Sequence, residues 1–282
     1  MFRLLGKTHP GAVREQNEDA FYSNDSTGLA AVVDGMGGYA AGEVASAIIV
    51  ESLGELNPSA GGLVAALMEC HTRILQHSKV HPESKGMGAA VVVAKLEPKQ
   101  LSVCWAGDSR AYLFNRDTGL RRVSRDHSYV HWLFSQGKIT EEEARNHPKR
   151  NLVTQCLGLS APQPELTTVA WKPGDSLLLC SDGLTDELDD RSIENTLNEA
   201  LSADDFSAVA VDELIAEALE AGGKDNVTVL IAENLHVADD MLDEPNVETS
   251  SATQRNSLLP ILLGAGAAVL VLTIGLLWHF SG

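Results

Sequence analysis

The sequence predicts an α+β fold in which antiparallel sheet layers are covered on the outside by helices, followed by one C-terminal transmembrane helix. Three observations carry this. Short apolar or β-branched runs recur through residues 1–232, separated by tight turns. A regular alternation of one strand with one helix is missing, which argues against a doubly wound parallel sheet. Residues 258–278 then carry no charge at all.

The strand candidates are 28–33, 89–96, 101–105, 111–114, 175–180 and 226–231. Turn-forming segments such as Glu97-Pro-Lys-Gln100 and Arg116-Asp-Thr-Gly119 separate neighbours closely enough for antiparallel pairing. Helical periodicity marks 42–53, 63–78, 191–200 and 204–221. A polar, partly helical insertion over 126–151 interrupts the strands.

The segment 258–280 is read as a membrane anchor. At ~1.5 Å per residue its uncharged stretch reaches ~30 Å, the thickness of a bilayer core, with Trp278 at the interface. The acidic, Pro- and Ser-containing stretch 233–257 reads as a flexible tether. The first residues hold too short an apolar run for an export signal, so the expected location is a membrane, with the preceding domain on its cytosolic side. Arg255 agrees with the positive-inside tendency.

The 282 residues suffice for one large domain, and the net charge of -18 argues against a nucleic-acid partner. The four cysteines, Cys70, Cys104, Cys156 and Cys180, form no C-x-x-C pair and read as reduced, in keeping with a reducing compartment.

The chemistry is written in acids placed in turn-like contexts. They are Arg14-Glu-Gln-Asn-Glu-Asp19, Asp34-Gly-Met-Gly-Gly38, Gly107-Asp-Ser-Arg110, Ser181-Asp-Gly183 and Gly222-Gly-Lys-Asp-Asn226. Most adjoin an apolar strand candidate, where an unpaired acid is costly. Convergent strand ends of this kind suit a cage of oxygen ligands for hard divalent cations, and an arginine beside it suits phosphate-ester hydrolysis.

The ordered set resembles the metal-dependent protein phosphatase family, also called protein phosphatase 2C, in its bacterial form. The matching segments are Gly11-Ala-Val-Arg-Glu-Gln-Asn-Glu-Asp-Ala20, Val33-Asp-Gly-Met-Gly-Gly38, Ala41-Gly-Glu-Val-Ala-Ser46, Ala106-Gly-Asp-Ser-Arg-Ala-Tyr112, Asp126-His-Ser128, Cys180-Ser-Asp-Gly-Leu-Thr-Asp186 and Gly222-Gly-Lys-Asp-Asn-Val-Thr228. The resemblance covers 1–232 and implies a central antiparallel β-sandwich flanked by helices on both outer faces, with 126–151 as a flap beside the site. It implies two Mn²⁺ or Mg²⁺ ions per site and a third, weaker one. Asp34 and the Gly35 carbonyl would hold the cations, with Asp182, Asp225 and Glu18; Asp19 would orient water, and Asp108 would serve the third site. Arg14 would hold the substrate phosphate.

The implied reaction is hydrolysis of phosphoserine and phosphothreonine in proteins by a water activated between the two cations. The implied partners are phosphorylated proteins and a Ser/Thr protein kinase that the enzyme opposes. Two positions depart from the family. Tyr39 stands where bacterial members commonly carry His, which leaves Tyr39, bound water or His127 as the source of the leaving group's proton. Met87-Gly-Ala-Ala90 replaces threonines with alanine, with consequences expected in packing. Lys138, Arg145, Lys149 and Arg150 in the flap could attract phosphopeptides, or simply be a solvated surface. Tyr39 also motivates a second reading, a phosphatase-like domain that binds without hydrolysis. A non-phosphatase metal hydrolase is a third, weakened by the lack of a His ligand cluster.

Overall fold

Apolar runs pair into two antiparallel sheets of five strands each. The computed structural model describes residues 1–37, 41–159 and 161–235, all within the unit Met1–Ala238. In one sheet the order is β1 (Phe2–His9), β10 (Val227–Asn234), β9 (Ser176–Cys180), β6 (Arg110–Asn115), β7 (Gly119–Arg122). In the other it is β2 (Asp19–Asn24), β3 (Leu29–Met36), β4 (Gly88–Glu97), β5 (Gln100–Ala106), β8 (Glu165–Ala170).

The inner strands are apolar without alternation because both of their faces are covered. Along β3, Ala30 and Val32 point into the layer between the sheets, joined there by Val92, Val103, Leu177, Leu179 and Leu230. The intervening Leu29, Ala31 and Val33 face α1 (Ala41–Leu56) and α2 (Leu63–Val80), meeting Ile49, Leu53 and Leu67. On the opposite face of the molecule, Leu178, Val229 and Ile231 pack against α6 (Asp190–Ala200) and α7 (Phe206–Ala221). Each such Val, Leu or Ile side chain contributes about 1.5–3 kcal/mol on burial. The expected sandwich between helical layers is therefore present, and α6 and α7 start at side-chain caps, Asp189 and Asp205.

Four strands go beyond the sequence reading: β1, β2, β7 and β8. They are the four edges of the two sheets. An edge strand is covered on fewer sides and keeps polar residues; β8, Glu-Leu-Thr-Thr-Val-Ala, alternates between half-buried and exposed positions along its length.

The insertion carries two short helices, α3 (Tyr129–Ser135) and α4 (Glu141–Arg145), neither with a buried residue. A capping box of Thr140 and Glu143 starts α4. The insertion is rooted by the bridge of Ser128 with Val153, by Tyr129 N–H donating to the Leu152 carbonyl at 2.9 Å and by Thr154 N–H donating to that of His127 at 2.6 Å.

β10 runs to Asn234, two residues into the stretch read as the tether. The rest of the tether, the span 258–280 and Tyr39 lie outside the described residues. Among the described residues no helix is long and apolar enough to cross a membrane. The four cysteines are free and buried.

Candidate active site

Antiparallel pairing brings the acid-bearing strand ends to one end of the sandwich. Asp19 opens β2 directly opposite Asp34 near the end of β3, and Asp34 faces Ala90 of β4 on its other side. Asp108 follows β5, Asp182 starts the short helix α5 (Asp182–Thr185) just after β9, and Asp225 stands just before β10. The two sheets are stitched together here. Asp19 Oδ2 accepts hydrogen bonds from Ser181 Oγ and Thr228 Oγ1, both at 2.7 Å.

The electrostatics follow from burying several acids together. Burial, then repulsion from Asp182, Asp19 and Asp108, holds the Asp34 carboxyl well above its usual range. Burial and the Asp182 charge do the same to Asp108. Burial raises Asp19 to about 8 against its two hydroxyl donors, and raises Asp182 to about 7 with help from Asp186 and Asp225. Asp34 and Asp182 share a hydrogen bond. Glu18 is also raised by burial, although Gly42 N–H donates to its Oε1 at 3.1 Å.

Such a cluster wants positive charge, and its donors are hard oxygens suited to Mg²⁺ or Mn²⁺. The residues present fit a divalent-cation site. Among the described residues no three ligand-type side chains already converge on one point.

Backbone packing fixes the approach. Gly35 allows α1 to come in close: a Cβ there would overlap the Gly42 carbonyl and the Ser46 hydroxyl. Ser46 Oγ donates to the carbonyls of Glu18 and Gly42. Asn226 spends its side chain on the loop after β1: Nδ2 donates to the Pro10 and Gln16 carbonyls at 2.9 and 2.8 Å, and Oδ1 accepts from Glu18 N–H at 2.8 Å. It positions its neighbours. Arg14 rides on that loop and reaches Asp225 Oδ2 through Nη2 at 2.7 Å.

The structure thus brings Arg14, Glu18, Asp19, Asp34, Gly35, Asp108, Asp182 and Asp225 to one place. His127 has other work. Its Nδ1 accepts from Gly107 N–H at 3.2 Å and so steadies the loop that carries Asp108, while its Nε2 lies 3.3 Å from Glu165 Oε1 of β8 without forming a hydrogen bond. Ala90 is fully buried, and a Cβ on Gly107 would overlap its own. The small side chain lets the Asp108 loop close onto β4.

Sequence reasoning passed over Ser181, Thr228 and the buried ion cluster at the flap root. There Arg110 forks onto Asp126 through Nε and Nη2 at 3.1 and 2.8 Å, and Arg122 pairs with the same carboxylate. Burial pushes Asp126 up, but the two guanidiniums outweigh it and hold the carboxyl below its usual range. Neither the Ser181 nor the Thr228 hydroxyl is marked locally in the sequence; β10 holds Thr228 along with two further polar residues, Glu233 and Asn234. A cavity of about 290 Å³ lies between this cluster, Asp108, Asp182 and the flap residues His131, Phe134, Arg145 and Arg150. Arg150 spans it to Asp186 at 3.6 Å. The flap's cations are balanced by Asp126, Glu141, Glu142 and Glu143, so 4 − 4 leaves no net positive charge to draw a phosphopeptide.

Residues 6–220 match the family described as Protein phosphatase 2C. The chain belongs to that family. It is 37% identical over 239 residues to the serine/threonine protein phosphatase PstP of Mycobacterium tuberculosis, covering 83% of this chain and 45% of that one. It is 34% identical over 241 residues to the serine/threonine phosphatase stp of Listeria welshimeri, covering 80% of this chain and 94% of the relative. The chain therefore spans less than half the length of PstP and nearly all of stp. The catalytic domain of PstP, solved in complex with two manganese ions, superposes with a TM-score of 0.74 at 35% identity, covering 82% of this chain and 97% of that one.

Proposed function

We propose that this chain is a protein-serine/threonine phosphatase that hydrolyses phosphoserine and phosphothreonine in proteins, using Mn²⁺ or Mg²⁺. The observation that carries the reading is the set of buried, mutually repelling carboxylates at the strand ends, with Arg14 beside it. The names of the related phosphatases and the two manganese ions of the PstP domain support it.

When bound, two divalent cations supply an activated water and a positive field for the phosphoryl oxygens. Asp34, the Gly35 carbonyl, Asp182 and Asp225 hold them, together with Glu18, while Asp108 serves a third, weaker site. Asp19, fixed by Ser181 and Thr228 at 2.7 Å, orients the attacking water. Arg14 leaves Asp225 to grip two phosphate oxygens with its planar fork. The leaving serine or threonine oxygen takes its proton from water or Tyr39, since the His127 ring is buried with its Nδ1 on the Gly107 amide.

The substrates are phosphorylated proteins, and a bacterial Ser/Thr kinase is the enzyme opposed. The domain, 1–232 with its flap 126–151, works at the cytosolic face of a membrane, held by the tether 233–257 and the anchor 258–280. The uncharged stretch 258–278 supports the anchor.

Phosphate release from a phosphothreonine peptide tests the activity: turnover with Mn²⁺ or Mg²⁺ that a chelator abolishes is expected, and chelator-insensitive turnover contradicts it. Fractionation tests the location. The full chain should stay with membranes through an alkaline wash, and a chain ending at Leu235 should not; a full chain in the soluble fraction sinks the anchor.

A further inference from the structure

Glu187 is an acid for which the mechanism above has no use. It sits one turn after Asp182, its N–H donating to the Leu184 carbonyl at 3.3 Å. Its side chain is only 5% exposed, and a buried carboxylate is costly unless partnered. Among the described residues its hydrogen-bond partners come from Lys224, the residue before Asp225. Glu187 Oε1 accepts from Lys224 N–H at 3.2 Å, and Lys224 Nζ lies 3.2 Å from both carboxylate oxygens.

The shape of the loop is cut to this contact. Gly222 has φ +148, and a Cβ there would come within 3.1 Å of Glu187 Oε2. Alongside, the backbones touch directly, since a Cβ on Gly183 would overlap the Asn226 carbonyl. The same loop also carries Arg14 indirectly, through Ala12 N–H donating to the Gly223 carbonyl at 2.7 Å and through the Arg14–Asp225 pair. Lys224 is 67% exposed, so its ammonium adds little. The backbone amide is the contact that sets position.

We infer that Glu187 is a positioning residue for the divalent-cation site: a strut from the turn after the Asp182 helix that holds the Gly222–Asp225 loop at a fixed reach, and so sets how tightly cations bind between Asp182 and Asp225. The inference rests on the reading of those two acids as cation ligands. The contact acts through length rather than charge. Gln keeps the reach and an acceptor oxygen; Asp keeps the charge but is one methylene short.

The test is Mn²⁺ titration calorimetry on the full chain in detergent, comparing wild type with Glu187→Ala, Glu187→Asp and Glu187→Gln, beside the melting temperature of each metal-free protein. Loss of such a supporting partner weakens metal binding about tenfold or more, which is the effect expected for Ala. Asp should weaken it by a smaller factor and Gln should stay near wild type, with kcat recovering in the variants at saturating Mn²⁺. Should Ala fail to fold, the order of Asp and Gln decides. Equal Mn²⁺ affinity in all the proteins that fold overturns the inference, as does a lowered melting temperature with unchanged affinity, or Gln binding more weakly than Asp. A wild-type chain that binds no Mn²⁺ sinks the cation reading itself, and the strut with it.

Discussion

The two walls of the site are built on opposite principles. One wall consists of strand ends and glycine turns, where Asp19, Asp34, Asp182 and Asp225 are fixed by sheet register and by backbone contacts from Asn226, Ser46 and Gly35. The other is the flap, whose helices bury no residue and whose span across the cavity is a single half-exposed ion pair, Arg150–Asp186. The difference separates two tasks. Acids crowded against their own repulsion need a frame that does not yield, while a wall that, on the proposed function, meets a variable protein substrate needs no fixed shape.

Breaking the rigid wall should cost most. Asp34→Asn and Asp182→Asn are expected to lower phosphate release by roughly a thousandfold, because each removes a proposed cation ligand. In chelator both variants should melt no lower than wild type, since a buried repulsive charge has gone. A chelated variant that unfolds would mean the acid serves the fold.

The same crowding makes a pH prediction. Asp182 and Asp19 rise from 3.8 to about 7 and about 8 on folding, so the folded, metal-free protein holds protons that the unfolded chain has released. Their stabilising contribution is full below about pH 4 and is lost as pH climbs through 7 to 8. Melting of the chelated protein should therefore fall across that window, and added Mn²⁺ should flatten the fall. A melting temperature that rises with pH would contradict the cluster.

Arg14→Ala comes next, with kcat/KM expected to fall about 10- to 100-fold through loss of the phosphate fork. Gly35→Ala should destabilise the domain by about 1–3 kcal/mol, as overpacking does, by driving α1 away from β3. Urea unfolding measures it. At the other wall, Arg150→Ala should change stability by less than ~1 kcal/mol, since both partners of its ion pair are partly solvated. A large loss there would erase the contrast between the walls.

The same contrast explains what the sequence made legible. The six strands read from it are the six inner strands, which are apolar because both faces are covered, and the four edges were missed because most of their residues are only half-buried or exposed and many are polar. The acids of the site stood out by recurrence: a lone Asp-Gly is an ordinary turn, but Asp34, Asp182 and Asp225 repeat the arrangement at three ends of apolar runs. Supporting residues were hidden. Ser181 and Thr228 look like ordinary hydroxyls, and Glu187 is one acid in the run Asp186-Glu-Leu-Asp-Asp190 until its distance to the Lys224 amide is known. Contacts across long sequence separations leave no local mark.

The most direct test of the cation cage is anomalous diffraction at the manganese edge from crystals of the phosphatase domain grown with Mn²⁺. The account predicts two strong peaks at the strand ends, with Asp34 between them and Asp182, Asp225 and Glu18 around them. An occupied metal elsewhere, or density that leaves Asp34 and Asp182 bonded to each other with no ion between, would contradict it.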